Sequence, residues 1–222
     1  MGAWIELKPE GAQPIRAWRA DPAGRPRGGI VVVQEIFGVN AHIREVTDKF
    51  AAEGYLAVAP GIFEHLEPKF EVGYDADSRA RGIAVVSKAD REQVLRDVAA
   101  AIEVAKQGGK VGVVGFCYGG TIAWAAAGRL KGLSAAVGYY GGGIIGLKDL
   151  KPTVPTLLHF GEKDQHIPVA GVKEVAAAHP DVEVHIYPAD HGFNCDHRES
   201  YDKPSAALAW TRTIAFLRKY VG

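Results

Sequence analysis

The chain has 222 residues, 47% hydrophobic and 23% charged, with 26 Lys plus Arg against 26 Asp plus Glu and a formal net charge of +0. That length and apolar content suffice for one sizeable core, so residues 1–222 are read as a single domain. Balanced charge without a basic block argues against a phosphate-backbone or anionic-membrane partner, so nucleic acid and membrane are not expected ligands.

The N-terminal MGAWIELKPEGAQPIRAW lacks a basic segment followed by a continuous apolar stretch. No signal peptide or membrane span is expected from it, and a cytoplasmic location is the default. Residues 4 to 19 alternate as WIEL and then IRAWRA around a glycine-containing turn, which predicts an antiparallel hairpin at one sheet edge. DPAGRPRGG (21 to 29) reads as a loop.

IVVVQEI (30 to 36) is the next strand, Ala41 to Glu53 a helix and YLAVAP (55 to 60) a strand. Residues 62 to 82 show no clear period and read as an irregular segment. A helix over Asp90 to Lys106, a strand at VGVVGF (111 to 116) and a helix over Gly120 to Leu130 follow. Strands at AAVGYY (135 to 140) and TLLHFG (156 to 161), a helix from Val169 to His179, a strand at VEVHIYP (182 to 188) and a helix from Ser205 to Tyr220 complete the series. Strands alternating with helices imply an α/β fold with a mainly parallel central sheet covered on both faces. In such sheets ligands sit beyond the carboxyl ends of the strands, so chemistry is sought just after each apolar run.

GFCYGG (115 to 120) puts Cys117 at a strand-to-helix turn flanked by Gly115, Gly119 and Gly120. Such a turn can hold a nucleophile in strained backbone space at a helix N-terminus, where the dipole favours thiolate. A buried structural thiol is the alternative reading of the hexapeptide alone. Acyl transfer also needs a base and a group that orients it, in the chain order acid and then histidine. Asp164, after TLLHFGEK, and His191, after VEVHIYPAD, stand in that order at the ends of two later strands. Singly they would be a turn former and a loop residue; the ordered triple makes Cys117, His191 and Asp164 a candidate catalytic triad.

Five segments, QEIFGVN (34 to 40), VGVVGFCYGG (111 to 120), AVGYYGG (136 to 142), GEKDQHIP (161 to 168) and YPADHGFN (187 to 194), resemble the dienelactone hydrolase (carboxymethylenebutenolidase) family of α/β-hydrolases. The resemblance spans nearly the whole chain and implies an α/β-hydrolase fold without a large lid domain. It also implies an esterase or lactonase of dienelactone-type substrates, opening the ring to a carboxylate such as maleylacetate, in aromatic degradation. Cys117 would attack the carbonyl, His191 handle the proton and Asp164 orient the histidine. Glu35 would contact the resting thiol until substrate frees it to help form the thiolate, a substrate-gated activation. The fold implies an oxyanion hole from the backbone N–H groups of Ile36 and Tyr118.

The family's carboxylate-bearing lactone is clamped by arginines, for one of which Arg79 is the candidate by its position before the helix containing Asp97, with Arg81 close enough to compete. A second arginine expected a few residues after the histidine is replaced by Cys195 in HGFNCDHR, with Arg198 further along. A general carboxylesterase or thioesterase, or a non-hydrolytic ligand-binding or redox-sensing member of the fold, are therefore the competing readings.

The residues HGFNCDH (191 to 197) lack a second close-spaced ligand pair, so no metal is assigned, and no cofactor is expected. His42, His65, His159, His179 and His185 read as helix, loop or strand residues, and His166 as lining the site beside Asp164. Trp124 reads as core, with Tyr139 and Tyr140 bordering the pocket. The partner is a small-molecule lactone or ester; the oligomeric state is not specified, and a monomer is compatible with the sequence.

Overall fold

A computed structural model describes residues 2–222. Eight strands form one sheet in the order β1-β2-β4-β3-β5-β6-β7-β8. The strands are β1 (Ala3–Leu7), β2 (Ile15–Ala20), β3 (Gly29–Val33), β4 (Leu56–Pro60), β5 (Val111–Phe116), β6 (Leu133–Tyr139), β7 (Thr156–Gly161) and β8 (Glu183–Tyr187). The β1–β2 hairpin lies at one edge, antiparallel within itself and to β4, and every pairing from β4 across to β8 is parallel. The expected hairpin and mainly parallel sheet are both present.

β3, β4, β5 and β7 are buried along their full length, as continuous apolar runs covered on both faces should be. The edge strands β1 and β8 keep exposed positions. Alternate residues of β3 enter two cores. Ile30 and Val32 join Val46 and Phe50 of α1 (Ala41–Ala52) and Ala209 and Leu217 of α6 (Lys203–Tyr220). Val31 and Val33 join Val94, Val98 and Ala101 of α3 (Arg91–Ala105). This period of two places helices on both sides of the sheet.

The remaining helices are α2 (Ala76–Val86), α4 (Tyr118–Arg129) and α5 (Val169–Ala178). Side-chain caps fix several helix starts: Asn40 accepts from Ile43 N–H at 3.2 Å, Asp90 from Glu92 N–H at 3.1 Å, and Asp202 from Ser205 N–H at 2.9 Å. Gly54 follows α1 at φ 96°, the left-handed position that ends many helices.

One expectation is corrected here. The segment read as irregular contains α2, capped by Asp75, whose carboxylate accepts from Ser78 N–H at 2.9 Å. Only Gly82 and Val85 of this helix are buried, so it shows no apolar stripe. Gly82 is packed so closely on the carbonyl of Ile36 that a methyl group would clash, which seats α2 against the loop after β3. No helix among the described residues is long and apolar enough to cross a membrane.

Candidate active site

The site lies beyond the carboxyl ends of β3, β5, β7 and β8. Cys117 occupies the turn between β5 and α4 with φ 54° and ψ −115°, a costly conformation for a non-glycine residue. Its surroundings over-determine that conformation. Cys117 N–H donates to Tyr139 C=O at 3.0 Å, and the backbone crowds so tightly at Gly115, Gly119 and Gly120 that no side chain fits at any of them. Gly119 lies against the Val33 and Gln34 carbonyls, which brings the elbow into contact with the end of β3.

The half-buried Sγ of Cys117 is 3.2 Å from His191 Nε2, and His191 Nδ1 is 2.7 Å from Asp164 Oδ2. The structure thus brings together the three residues picked out from their order in the sequence. The Asp164 side chain is fully buried, and its other oxygen accepts from His166 N–H at 2.8 Å. Burial works against the charged forms of both His191 and Asp164, and the contacts between neighbours outweigh it. The Asp164 and Cys117 hydrogen bonds and charges push His191 up to about 10, while the His191 partnership draws Asp164 below the usual carboxylate range. A protonated His191 can donate to both neighbours at once, and its positive charge and the α4 N-terminus both face the sulfur.

Cys117, Tyr118 and Ile36 share one cleft of about 520 Å³. As the first residue of α4, Tyr118 has an N–H with no intrahelical acceptor. The cleft has apolar walls from Phe37, Ile83 and Ile167, and three cationic residues, Arg79, Arg91 and Arg198.

Arg79 lies on α2 with its guanidinium 3.0 Å from His166 Nε2, which places His166 at the site as expected. Arg81 is turned away: it pairs with Glu67 at 2.6 Å, stacks over Phe70 and is absent from the cleft. The helical twist of α2 separates these two neighbours, so that of the pair only Arg79, the candidate preferred by position, lines the cleft. Arg91 was not singled out from the sequence. It stands at the start of α3 and reaches the cleft only because α2 and α3 meet there.

Glu35 is fully buried and held from two sides. Arg198 donates to its Oε1 at 3.2 Å and Tyr74 O–H to its Oε2 at 3.3 Å, while Asn40 donates to Tyr74 Oη at 3.1 Å. Burial, with the Glu35 charge adding to it, pushes the Tyr74 hydroxyl far up and keeps it a donor. The contact expected between Glu35 and the thiol is not among these bonds, because Sγ faces His191 and the guanidinium supplies the carboxylate's countercharge.

Arg198 lies further along the chain than the family pattern places its second arginine, yet it lines the cleft. Two short turns, Cys195 N–H to Gly192 C=O at 2.9 Å and Arg198 N–H to Cys195 C=O at 3.1 Å, fold the segment back so that Arg198 lines the cleft. Cys195 itself is buried, and burial, then the Glu35 charge, push its thiol up to about 12, which favours the protonated form.

Trp124 is core, as expected, with its indole N–H donating to Leu147 C=O at 3.2 Å. Tyr139 and Tyr140 do not border the cleft. Both are fully buried; Tyr140 packs behind His191 at a ring distance of 5.1 Å, and Tyr139 shares a 2.6 Å hydrogen bond with Thr213.

Comparison with known proteins gives one answer. The model of the family described as dienelactone hydrolase matches residues 15–221. A Pseudomonas putida carboxymethylenebutenolidase is 37% identical over 210 residues, covering 88% of this chain and 87% of its own. A Synechocystis protein provisionally given the same name is 36% identical over 203 residues, covering 82% of each chain. A crystal structure from Klebsiella pneumoniae, provisionally described as a dienelactone hydrolase, superposes with a TM-score of 0.88 at 30% identity, covering 99% of both chains.

Proposed function

Because the chain belongs to the dienelactone hydrolase family, we propose that it hydrolyses lactones or esters through a thioacyl-enzyme on Cys117, with residues 1–222 acting as one catalytic domain. The observation that carries this reading is the continuous contact chain Sγ to Nε2 at 3.2 Å and Nδ1 to Oδ2 at 2.7 Å, at a strained turn opening into the cleft. A dienelactone-type substrate, opened to a carboxylate such as maleylacetate, is the class that the family kinship and the cationic cleft together favour.

In the first half-reaction His191 holds the proton from Cys117, and the thiolate adds to the substrate carbonyl. The carbonyl oxygen becomes an oxyanion that the N–H groups of Ile36 and Tyr118 would bind. Collapse breaks the bond to the ring oxygen, which leaves as an enol or alcohol after taking the proton from His191, and a thioester remains. In the second half His191 takes a proton from water, hydroxide equivalent adds to the thioester, and the carboxylate product leaves as Cys117 recovers its proton. Asp164 holds the imidazole in the orientation both halves require.

Arg198 adds a gate. An anionic substrate group entering the cleft competes with Glu35 for the same guanidinium, so binding loosens a buried carboxylate beside the elbow. The freed Glu35 can then help to pass the thiol proton on to His191, which ties activation to the charge of the ligand. Arg79, which lines the same cleft, is the second anchor.

Mixing the protein with an activated aryl ester and following intact mass should show a transient acyl adduct on Cys117, and Cys117→Ala should abolish both adduct and turnover. Turnover by Cys117→Ala at the wild-type rate would sink the mechanism. An adduct that never discharges would favour the ligand-binding or sensing reading instead. Steady-state rates on a carboxylated dienelactone and on neutral lactones test the substrate class; equal kcat/KM on both would remove the arginine anchors from it.

A further inference from the structure

Outside the cleft, α1 and the segment after His191 meet at a second cluster of chemistry-bearing side chains. His42, Asp196 and His197 each place one ligand atom within 4.8 Å of the other two. His42 Nδ1 is 3.3 Å from Asp196 Oδ1, and His197 Nε2 is 4.0 Å from the same oxygen. His42 is 1% exposed, and neither of its ring nitrogens has a hydrogen-bond partner. A buried imidazole with both nitrogens unpartnered is costly, and it normally either finds a proton partner or ligates. Here Nδ1 is aimed at a carboxylate oxygen but is poorly aligned for a hydrogen bond.

We propose that His42 Nδ1, Asp196 Oδ1 and His197 Nε2 form a binding site for a first-row divalent transition metal of the zinc type. Two ligand atoms at about 2.0–2.1 Å from a tetrahedral zinc stand about 3.3 Å apart. The His42 to Asp196 distance already has that value; the His197 to Asp196 edge is 4.0 Å and the His42 to His197 edge lies within 4.8 Å, so the exposed His197 moves in by roughly 0.7 Å or more to close them. Glu45, one turn after His42 on α1, has its Oε2 2.8 Å from His197 Nε2 but lies outside the cluster of three, so metal binding replaces that hydrogen bond and water completes the coordination. The second oxygen of Asp196 faces Lys49 Nζ at 3.7 Å, which leaves Oδ1 free for the metal. Two imidazoles and a carboxylate suit zinc, cobalt or nickel and do not suit magnesium or calcium.

His197 lacks a second ligand pair within its own segment, and the fold supplies one from a helix far away in sequence. The metal would fasten the 195–198 segment to α1. Arg198 is the residue after His197, and its guanidinium holds Glu35, so the site fixes one wall of the cleft without touching substrate.

The test is a zinc titration by calorimetry on chelator-treated protein that carries no histidine tag, made in parallel on wild type, Cys117→Ala, Asp196→Asn, His197→Ala and His42→Gln. One zinc should bind per chain to wild type and to Cys117→Ala, which excludes Cys117 as a ligand, and its loss in Asp196→Asn and His197→Ala, which keep His191, excludes the catalytic histidine. Asp196→Asn and His197→Ala change exposed residues, so they should fold as wild type by circular dichroism and lose affinity by about tenfold or more, the scale found even for partners one step removed from a metal. His42→Gln should lose it too, and its folding is checked in the same way. Cobalt in place of zinc should give the intense visible bands of a tetrahedral site, and a saturating metal should raise Tm. The proposal is overturned by no zinc binding to wild type, by unchanged affinity in both exposed-residue variants, by binding that vanishes in Cys117→Ala, or by magnesium binding as tightly as zinc.

Discussion

Replacing Arg198 by Met removes the countercharge from Glu35 and leaves a carboxylate that is 0% exposed with one neutral donor, Tyr74 at 3.3 Å. Removing one partner of a buried ion pair costs about 3–5 kcal/mol, because the remaining charge stays desolvated. The Arg198 side chain is itself 20% exposed, so water can reach part of the space it vacates, which places the loss near the lower end, about 3 kcal/mol. For a chain of this size that is a fall in Tm of roughly 6–12 °C. Adding Glu35→Gln removes the stranded charge, and the double variant should return to within about 1 kcal/mol of wild type. Urea unfolding of the four proteins at neutral pH measures the coupling. If the two single losses simply add within about 0.5 kcal/mol, the pair is not energetically coupled and the gate built on it fails.

Stability should also depend on pH in a defined direction. The folded-state value of His191 is pushed from the ordinary 6.5 up to about 10, so its contribution is complete below 6.5 and is lost as pH rises through 10. Asp164 is lowered, so its contribution is present above the usual carboxylate value and is lost on acidification. Melting curves from pH 5 to 10 should therefore decline on the alkaline side, and in Cys117→Ala the decline should begin at lower pH because one of the two partners that raise His191 is gone. Gly119→Ala forces a methyl group into the Val33 and Gln34 carbonyls and should abolish turnover and lower Tm, whereas Gly146→Ala, in open space, should change neither. Arg79→Ala should raise KM for a carboxylated lactone and leave neutral esters unaffected, while Arg81→Ala should leave both unchanged because its partner is Glu67.

The alternating strands and helices were legible because β3, β5 and β7 are continuous apolar runs bounded by glycine, and because the helices beside them carry periodic stripes. The ends of β5 and β7 led directly to Cys117 and Asp164, and the end of the half-exposed β8 to His191. What escaped lies where burial and sequence period part company. α2 is mostly exposed, so only its Asp75 cap could have announced it. Arg198 was not placed at the cleft because its distance from His191 along the chain says nothing of the two turns that fold it back. Tyr74 and His42 have no motif around them, and their importance comes entirely from which groups the tertiary fold sets against them.

α2 contributes Arg79 and Ile83 to the cleft yet buries only two of its own residues. Its surface-facing positions can change without disturbing either core, while the elbow and the acid–base pair are locked into the sheet. Ligand preference can thus drift independently of the hydrolytic apparatus. A lineage built on this scaffold could acquire new substrates by substitutions in a single short helix, at little cost to folding, before any change reached the reacting atoms.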